Sequence, residues 1–251
     1  ALTGIAILIF QSFIAALRLR LFTEHMGDAI NLSACWQYTL VGLFFNQALP
    51  STVGGDGVKI WLLSQRPNWT LRLSLHCIIL DRALGLLALL FLIVLSMPWI
   101  VSTITDTQAA AGIGALVFIG FFGCLIFALM PRLPLILERN RIISEIREFR
   151  GVFRSVFLDG PILCLAVIYG LAVHALNVAV LWFIAQDVGI AVSFSECLVI
   201  VPTVLLVSVV PISIAGWGLR EGAMVAGFSY LGISAADAVF LSVTLGLGMT
   251  A

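Results

Sequence analysis

Two short polar breaks in an otherwise apolar chain constrain this sequence more than anything else in it. The first runs from Asn46 to Lys59, N-Q-A-L-P-S-T-V-G-G-D-G-V-K, and the second from Val210 to Glu221, V-P-I-S-I-A-G-W-G-L-R-E. They align without a gap at a constant separation of 161 positions, pairing Pro50 with Pro211, Gly55 with Gly216, Gly57 with Gly218 and Lys59 with Arg220. Proline withholds a backbone donor and glycine admits positive φ, so each stretch breaks a helix rather than continuing it. The chain around them is 61% hydrophobic and 10% charged, with a mean hydropathy of +1.15, which excludes an ordinary soluble domain and fits an integral membrane protein. In a bilayer, broken backbone survives only under protein or beside water. Matched Gly/Pro interruptions in two halves therefore point to a transporter binding site. The plainer expectation is a pair of kinks that only pack.

At about 20 residues per span, the length gives an all-α, polytopic helix bundle of about six to eight spans, two of them broken or re-entrant and related as an internal repeat. Apolar runs fall at 2–17, 32–49, 73–97, 109–130, 161–185, 196–212, 222–231 and 235–251. Arg18 and Arg20 are expected to close the first span as flanking charges, and Pro98 to open an external loop. The chain starts at Ala1 and stops within an apolar run at Ala251, so it is expected to be a fragment of a longer membrane protein, with 1–251 forming a single transmembrane domain. Its first residues lack the basic start of a signal peptide. The five cysteines show no C-x-x-C spacing and are expected to be small buried hydrophobes.

Residues 131–160 differ in character. Six arginines stand against four acids, and Ile142, Ile146, Phe149, Phe153 and Val156 recur at helical spacing, with Arg141 and Glu145 one turn apart. This predicts an amphipathic link between the halves, lying on the anionic leaflet or packed on the bundle. The concentration of arginine places it in the cytoplasm, and the base-free links 98–108 and 186–195 outside. If the first break dips in and returns, Arg18 and Arg20 stay inside, and the two breaks enter from opposite faces as an inverted repeat. A parallel repeat is the alternative.

A charge inside the membrane costs about 3 kcal/mol even on insertion scales, so it normally has a partner and a purpose. The candidates are Asp56, Lys59, Asp81, Arg82, Arg220 and Glu221, framed by Asn46, Pro50, Gly55, Gly216 and Gly218. A helix restarting after either glycine cluster would aim its positive end at an anion. Lys59, Arg220 and the glycine backbone would then hold a phosphate, while Asp56 and Glu221 meet cationic or hydroxyl parts of a headgroup. Asp56 and Asp81 are expected to face bases from the opposite repeat, with a static ion-pair network as the alternative. His76 and His174, alone in apolar segments, are expected to make interhelical hydrogen bonds. No metal-ligand set or activated nucleophile is recognisable, so neither a cofactor nor an enzyme is expected.

The runs A-A-L-R-L-R-L at 15–21, G-L-F-F-N-Q-A-L-P-S-T-V-G-G-D-G-V-K at 42–59, L-D-R-A-L-G-L at 80–86 and I-A-G-W-G-L-R-E-G at 214–222 resemble the lysylphosphatidylglycerol synthase transmembrane-region, or flippase-like, family. The resemblance implies a multi-pass plasma-membrane protein, of a bacterial or archaeal inner membrane, that moves a phospholipid or lipid-linked headgroup between leaflets. Its partners would be that membrane lipid and no nucleic acid, with a second copy or a lipid-synthesising enzyme as a further partner. Some members carry a soluble aminoacyltransferase domain; none stands in this sequence, so lipid synthesis is not expected. A membrane-embedded enzyme, or an accessory subunit of a lipid-modifying enzyme, is the alternative.

Overall fold

The computed structural model describes residues 2–48, 54–103, 106–130, 141–209 and 218–248. Every regular element among them is helical: α1 Leu2–His25, α2 Leu32–Ala48, α3 Gly54–Ser64, α4 Leu71–Thr103, α5 Thr107–Leu129, α6 Arg141–Leu158, α7 Gly160–Asp187, α8 Phe194–Ser208, α9 Leu219–Ser229 and α10 Ala235–Gly248. Four of these, α1, α4, α5 and α7, are long and apolar enough to cross a membrane, and α8 and α10 are shorter apolar helices. Pro50 and Gly216, at the centres of the two breaks, lie outside the described residues.

The helix ends follow local chemistry. Asp159 accepts a hydrogen bond from the Ile162 amide and Pro161 sits in the first turn of α7, which separates α6 from α7 within two residues. Ser193 and Glu196 close a capping box at the start of α8. Two boundaries differ from expectation. Helix α1 does not end at Arg18 but runs on to His25, because Arg18 finds a buried partner instead of water. Helix α4 continues through Pro98 to Thr103, so proline there removes one hydrogen bond without ending the helix.

The helices pack as two four-helix units of the same order. In the first, α1 packs on α2, α2 on α3, α3 on α4, and α4 returns to α1. In the second, α7 packs on α8, α8 on α9, α9 on α10, and α10 returns to α7. The units meet chiefly where α7 lies against α1 and α4, and where α8 lies against α4. One apolar core gathers Phe22, Leu63, Ile78 and Leu84 in the first unit, and another gathers Leu181, Val199, Met224 and Leu241 in the second.

Contacts fix the direction of each hairpin. Asn46 meets Gly55, Gly42 meets Lys59, and Arg66 donates to the Tyr38 hydroxyl at 2.9 Å, so α3 runs back antiparallel along α2. At 11 residues α3 is about 16 Å long, roughly half of a hydrocarbon core. Helix α9 has the same length and packs on α8.

Helix α6 gathers helix ends at one end of the bundle. Ser155 meets His25 at the end of α1, and Glu145 and Glu148 each take Arg72 at the start of α4 at 2.8 Å. Arg150 reaches the Met130 carbonyl just past α5, and α7 starts directly after α6. Phe153 is buried, with Phe127, Phe149 and Phe157 around it. Of the two settings expected for residues 131–160, the described part is thus packed on the bundle through this aromatic face, while Ile142 and Ile146 remain exposed. At the opposite end of α7, residues 188–191 and 231–234 border a common cleft. The α2–α3 hairpin therefore begins and ends at the α6 end, and the α8–α9 hairpin begins and ends at the other.

Candidate functional site

The first unit holds five charges in one cluster. Asp56, in the first turn of α3, is buried and receives both bases of its neighbourhood. Arg82 donates from Nε and Nη2 to its two oxygens at 2.6 and 3.0 Å, and Lys59 Nζ lies 3.1 Å from Oδ1. On the residue next to Arg82 in α4, Asp81 Oδ1 accepts from Arg18 Nε at 2.7 Å. Lys59 and Arg82 also lie within electrostatic range of Asp81. Adjacent residues on a helix diverge, which is why Asp81 and Arg82 serve different partners.

These pairings correct the expectation that Asp56 and Asp81 meet bases from the opposite repeat. Their partners come from α1, α3 and α4, all in the same unit, because α3 lies against α4 and α1 reaches α4 directly. The described parts of the two breaks likewise pack on their own neighbours, α3 on α2 and α4, and α9 on α8 and α10.

Asn46 bridges the two arms of the hairpin. Its Oδ1 accepts the Gly55 amide at 3.0 Å, capping α3 across the hairpin. A Cβ at Gly55 would collide with the Gly42 carbonyl oxygen, so glycine is what lets the two helices touch. The aligned glycines Gly57 and Gly218 have different tasks. Gly57 is helical and borders open space, whereas Gly218 precedes α9 at φ +83°, where a side chain would be strained.

The second unit is closed on itself. Glu221 reaches back to accept the Gly218 amide, and its other oxygen accepts from Arg220 Nη2 at 3.0 Å and from the Ser242 hydroxyl at 3.0 Å. Arg220 Nε also donates to Ser242 Oγ at 3.1 Å, and its guanidinium lies over Gly246 where any Cβ would collide. Arg18 is seated in the same way in the first unit: it bonds Asp81, and its Nη1 lies 3.0 Å from where a Cβ on Gly85 would stand.

Two glycine seats for arginine thus occupy equivalent places on α4 and α10. The 161-residue alignment carries on through them, L-D-R-A-L-G-L at 80–86 against L-S-V-T-L-G-L at 241–247, with Asp81 opposite Ser242 and Gly85 opposite Gly246. Reading the sequence for charges and breaks overlooked Arg18, Ser242, Gly85 and Gly246; this continued alignment was the signal that could have found them. The arginines themselves come from different places. Arg220 of α9 fills its own seat, while Arg18 of α1 fills the other and leaves Lys59, which aligns with Arg220, to Asp56. His174 Nε2 lies 3.0 Å from the Gly85 carbonyl oxygen, and Gln11 donates to Asn177 at 3.1 Å, so α7 adds polar contacts beside the first seat.

An all-helical chain with several long apolar helices and buried charges between them is a multi-pass membrane protein. More specifically, it belongs to the family described as lysylphosphatidylglycerol synthase TM region, whose pattern matches residues 1–247. A UPF0104 membrane protein of Methanothermobacter thermautotrophicus is similar to it, 23% identical over 248 aligned positions that cover 87% of this chain and 70% of the relative. No solved structure matches the chain.

Proposed function

We propose that this protein translocates a phospholipid or lipid-linked headgroup between the leaflets of the plasma membrane. The observation that carries the reading is the pair of helical hairpins with 11-residue second arms that start from opposite ends of the bundle, one of them delivering a charged cluster to its interior. In this reading each hairpin enters the membrane and leaves on the same side, and the two four-helix units form an inverted repeat, the arrangement alternating access uses. The arginine-rich α6 end faces the cytoplasm. A headgroup passes along Asp56, Lys59 and Arg82 while its acyl chains stay in lipid. Family membership supports a role tied to membrane lipid, and the substrate is a membrane component without chemical change, so the chain acts as a transporter rather than an enzyme.

The test is leaflet-resolved exchange in proteoliposomes of the full chain, using headgroup-labelled phosphatidylglycerol and a membrane-impermeant quencher. Exchange well above protein-free vesicles is expected, with Arg82→Gln slowing it at least about tenfold, the scale of losing one bidentate charged contact. Background rates for the wild-type protein, or chemical conversion of the labelled lipid, would reject translocation. Conversion of the lipid would favour the embedded-enzyme alternative.

A further inference from the structure

The geometry points to a resident lipid site apart from the charged cluster: an anionic phospholipid lays one acyl chain in an apolar groove between α5 and α7 and sets its phosphate against Arg154 of α6. The inference needs the chain to span a membrane, not to move lipid, so it stands independently of translocation.

Shape is the first support. Leu87 of α4, buried, lies at the bottom of the groove, with Phe121, Phe122 and Leu125 of α5 on one side, Leu163 of α7 on the other and Phe157 of α6 at one end. All six side chains are apolar, and they border about 300 Å³, the small end of the range for ligand pockets. Helix α5 packs on α4 and α6 and turns much of its surface outward, with Ile119 and Ile126 more than 60% exposed. Phe122 and Leu125 are exposed as well, so the groove opens along the apolar surface that faces hydrocarbon. Lipid tails are as apolar as leucine, and a flexible chain fills such a slot without leaving a polar group unmet.

Charge is the second support, and it selects the lipid. Along α6, Arg150, Arg154 and Phe157 follow one another at four- and three-residue spacing and share one flank. Arg150 reaches the Met130 carbonyl just past α5, which turns that flank toward α5. Arg154 is exposed there, one turn before the ring that ends the groove. The acids of this region lie in other directions: Glu145 and Glu148 take Arg72 of α4, and Asp159 caps α7 through the Ile162 amide. A base therefore stands at the groove's end with the acids turned away from it, and guanidinium is suited to gripping phosphate. A phosphate at Arg154 directs the attached tail past Phe157 into the groove.

The delipidated full chain in detergent is titrated with phosphatidylglycerol and, in parallel, with phosphatidylcholine of the same acyl chains, and bound lipids are counted by native mass spectrometry. One phosphatidylglycerol is expected to be retained about fivefold more strongly than phosphatidylcholine, the worth of one base beside an anionic headgroup. Arg154→Gln should abolish that preference while phosphatidylcholine binding stays. Leu163→Trp, which fills the groove, should lose both lipids, and Ile119→Trp, on the same apolar surface outside the groove, should lose neither. In the Leu163→Trp background Arg154→Gln should change nothing further, because both act on one lipid. Should Leu163→Trp not fold, Leu125→Trp fills the groove from its exposed side with the same expected loss. Equal retention of the two lipids by the wild-type chain, or a preference that survives Arg154→Gln, overturns the proposal. So does lipid binding indifferent to the groove-filling variants, the result expected if residues 131–140 of the chain itself cover the groove.

Discussion

Arg18 and Asp81 illustrate how a buried pair can be unequal in its two members. Both are buried, and the attraction between them offsets a desolvation cost of several kcal/mol for each charge. Among the described ion pairs of this cluster, removing Asp81 leaves Arg18, Lys59 and Arg82 against the one carboxylate of Asp56. Removing Arg18 leaves two bases facing two carboxylates, a balanced set. Asp81→Leu is therefore expected to cost about 3–5 kcal/mol, the range for an uncompensated buried charge, and Arg18→Met clearly less. The double variant Arg18→Met/Asp81→Leu should recover most of the Asp81→Leu loss. Denaturant unfolding of the three proteins in one detergent measures this, and equal losses from the two single changes would contradict the charge count. The sequence shows both residues but not their pairing. A separation of 63 positions has no helical meaning, and the contact arises only when α1 lies against α4. Asp56 was legible as a buried charge because glycines flank it, yet its partner Arg82 was not, for the same reason.

Among the elements, magnitudes decide what holds each helix in place. The α2–α3 hairpin depends on one contact without slack, Gly55 against the Gly42 carbonyl. Gly55→Ala forces two backbones apart and is expected to lose about 1–3 kcal/mol, as overpacking does, together with the Asn46 cap. Gly57→Ala, two residues on but facing open space within the same helix, should be neutral or stabilising by about 0.5–1 kcal/mol. Melting temperatures of the two variants should therefore move in opposite senses or differ plainly; matched losses would reject this account of the hairpin. Helix α6 is held in a different way. Arg72 meets Glu145 and Glu148 with all three side chains well exposed, so that network contributes about 0–1 kcal/mol. Phe153 is buried among other rings, and its loss to alanine should cost about 3–5 kcal/mol. Phe153→Ala should expose α6 to hydrogen exchange or protease, and Arg72→Ala should leave its protection nearly intact. The reverse ranking would show that charge, not the aromatic face, anchors the link. The existence of α6 was readable from its apolar stripe. Its seat was not, because a stripe of that spacing serves equally against lipid or protein. Helix limits failed where a residue's environment overrides its type, at Arg18 and at Pro98.

The whole molecule raises a question of direction that no single helix answers. Because α6 gathers the end of α1, the start of α4, the end of α5 and the start of α7, those four points share one side of the bundle. The chain between α1 and α4 must then return to the side it left, which is what an antiparallel hairpin with an 11-residue second arm does. Helix α7 crosses to the other side, and the α8–α9 hairpin begins and ends there. The constant 161-residue separation was visible in the sequence, but not whether it meant an inverted or a parallel repeat, since both give the same alignment. Burial of Arg18 against Asp81 removes it from the count of charges that orient the chain, while Arg20 stays exposed and remains in it. The expected outcome is opposite sidedness. With the five native cysteines replaced, Asn68→Cys, past α3, should react with an impermeant maleimide only from the cytoplasmic side. Ser229→Cys, at the end of α9, should react only from outside, and both positions are exposed. Labelling of both from the same side would require one hairpin to cross fully. That would leave the two breaks opening to one leaflet, and the alternating route for a headgroup would be lost.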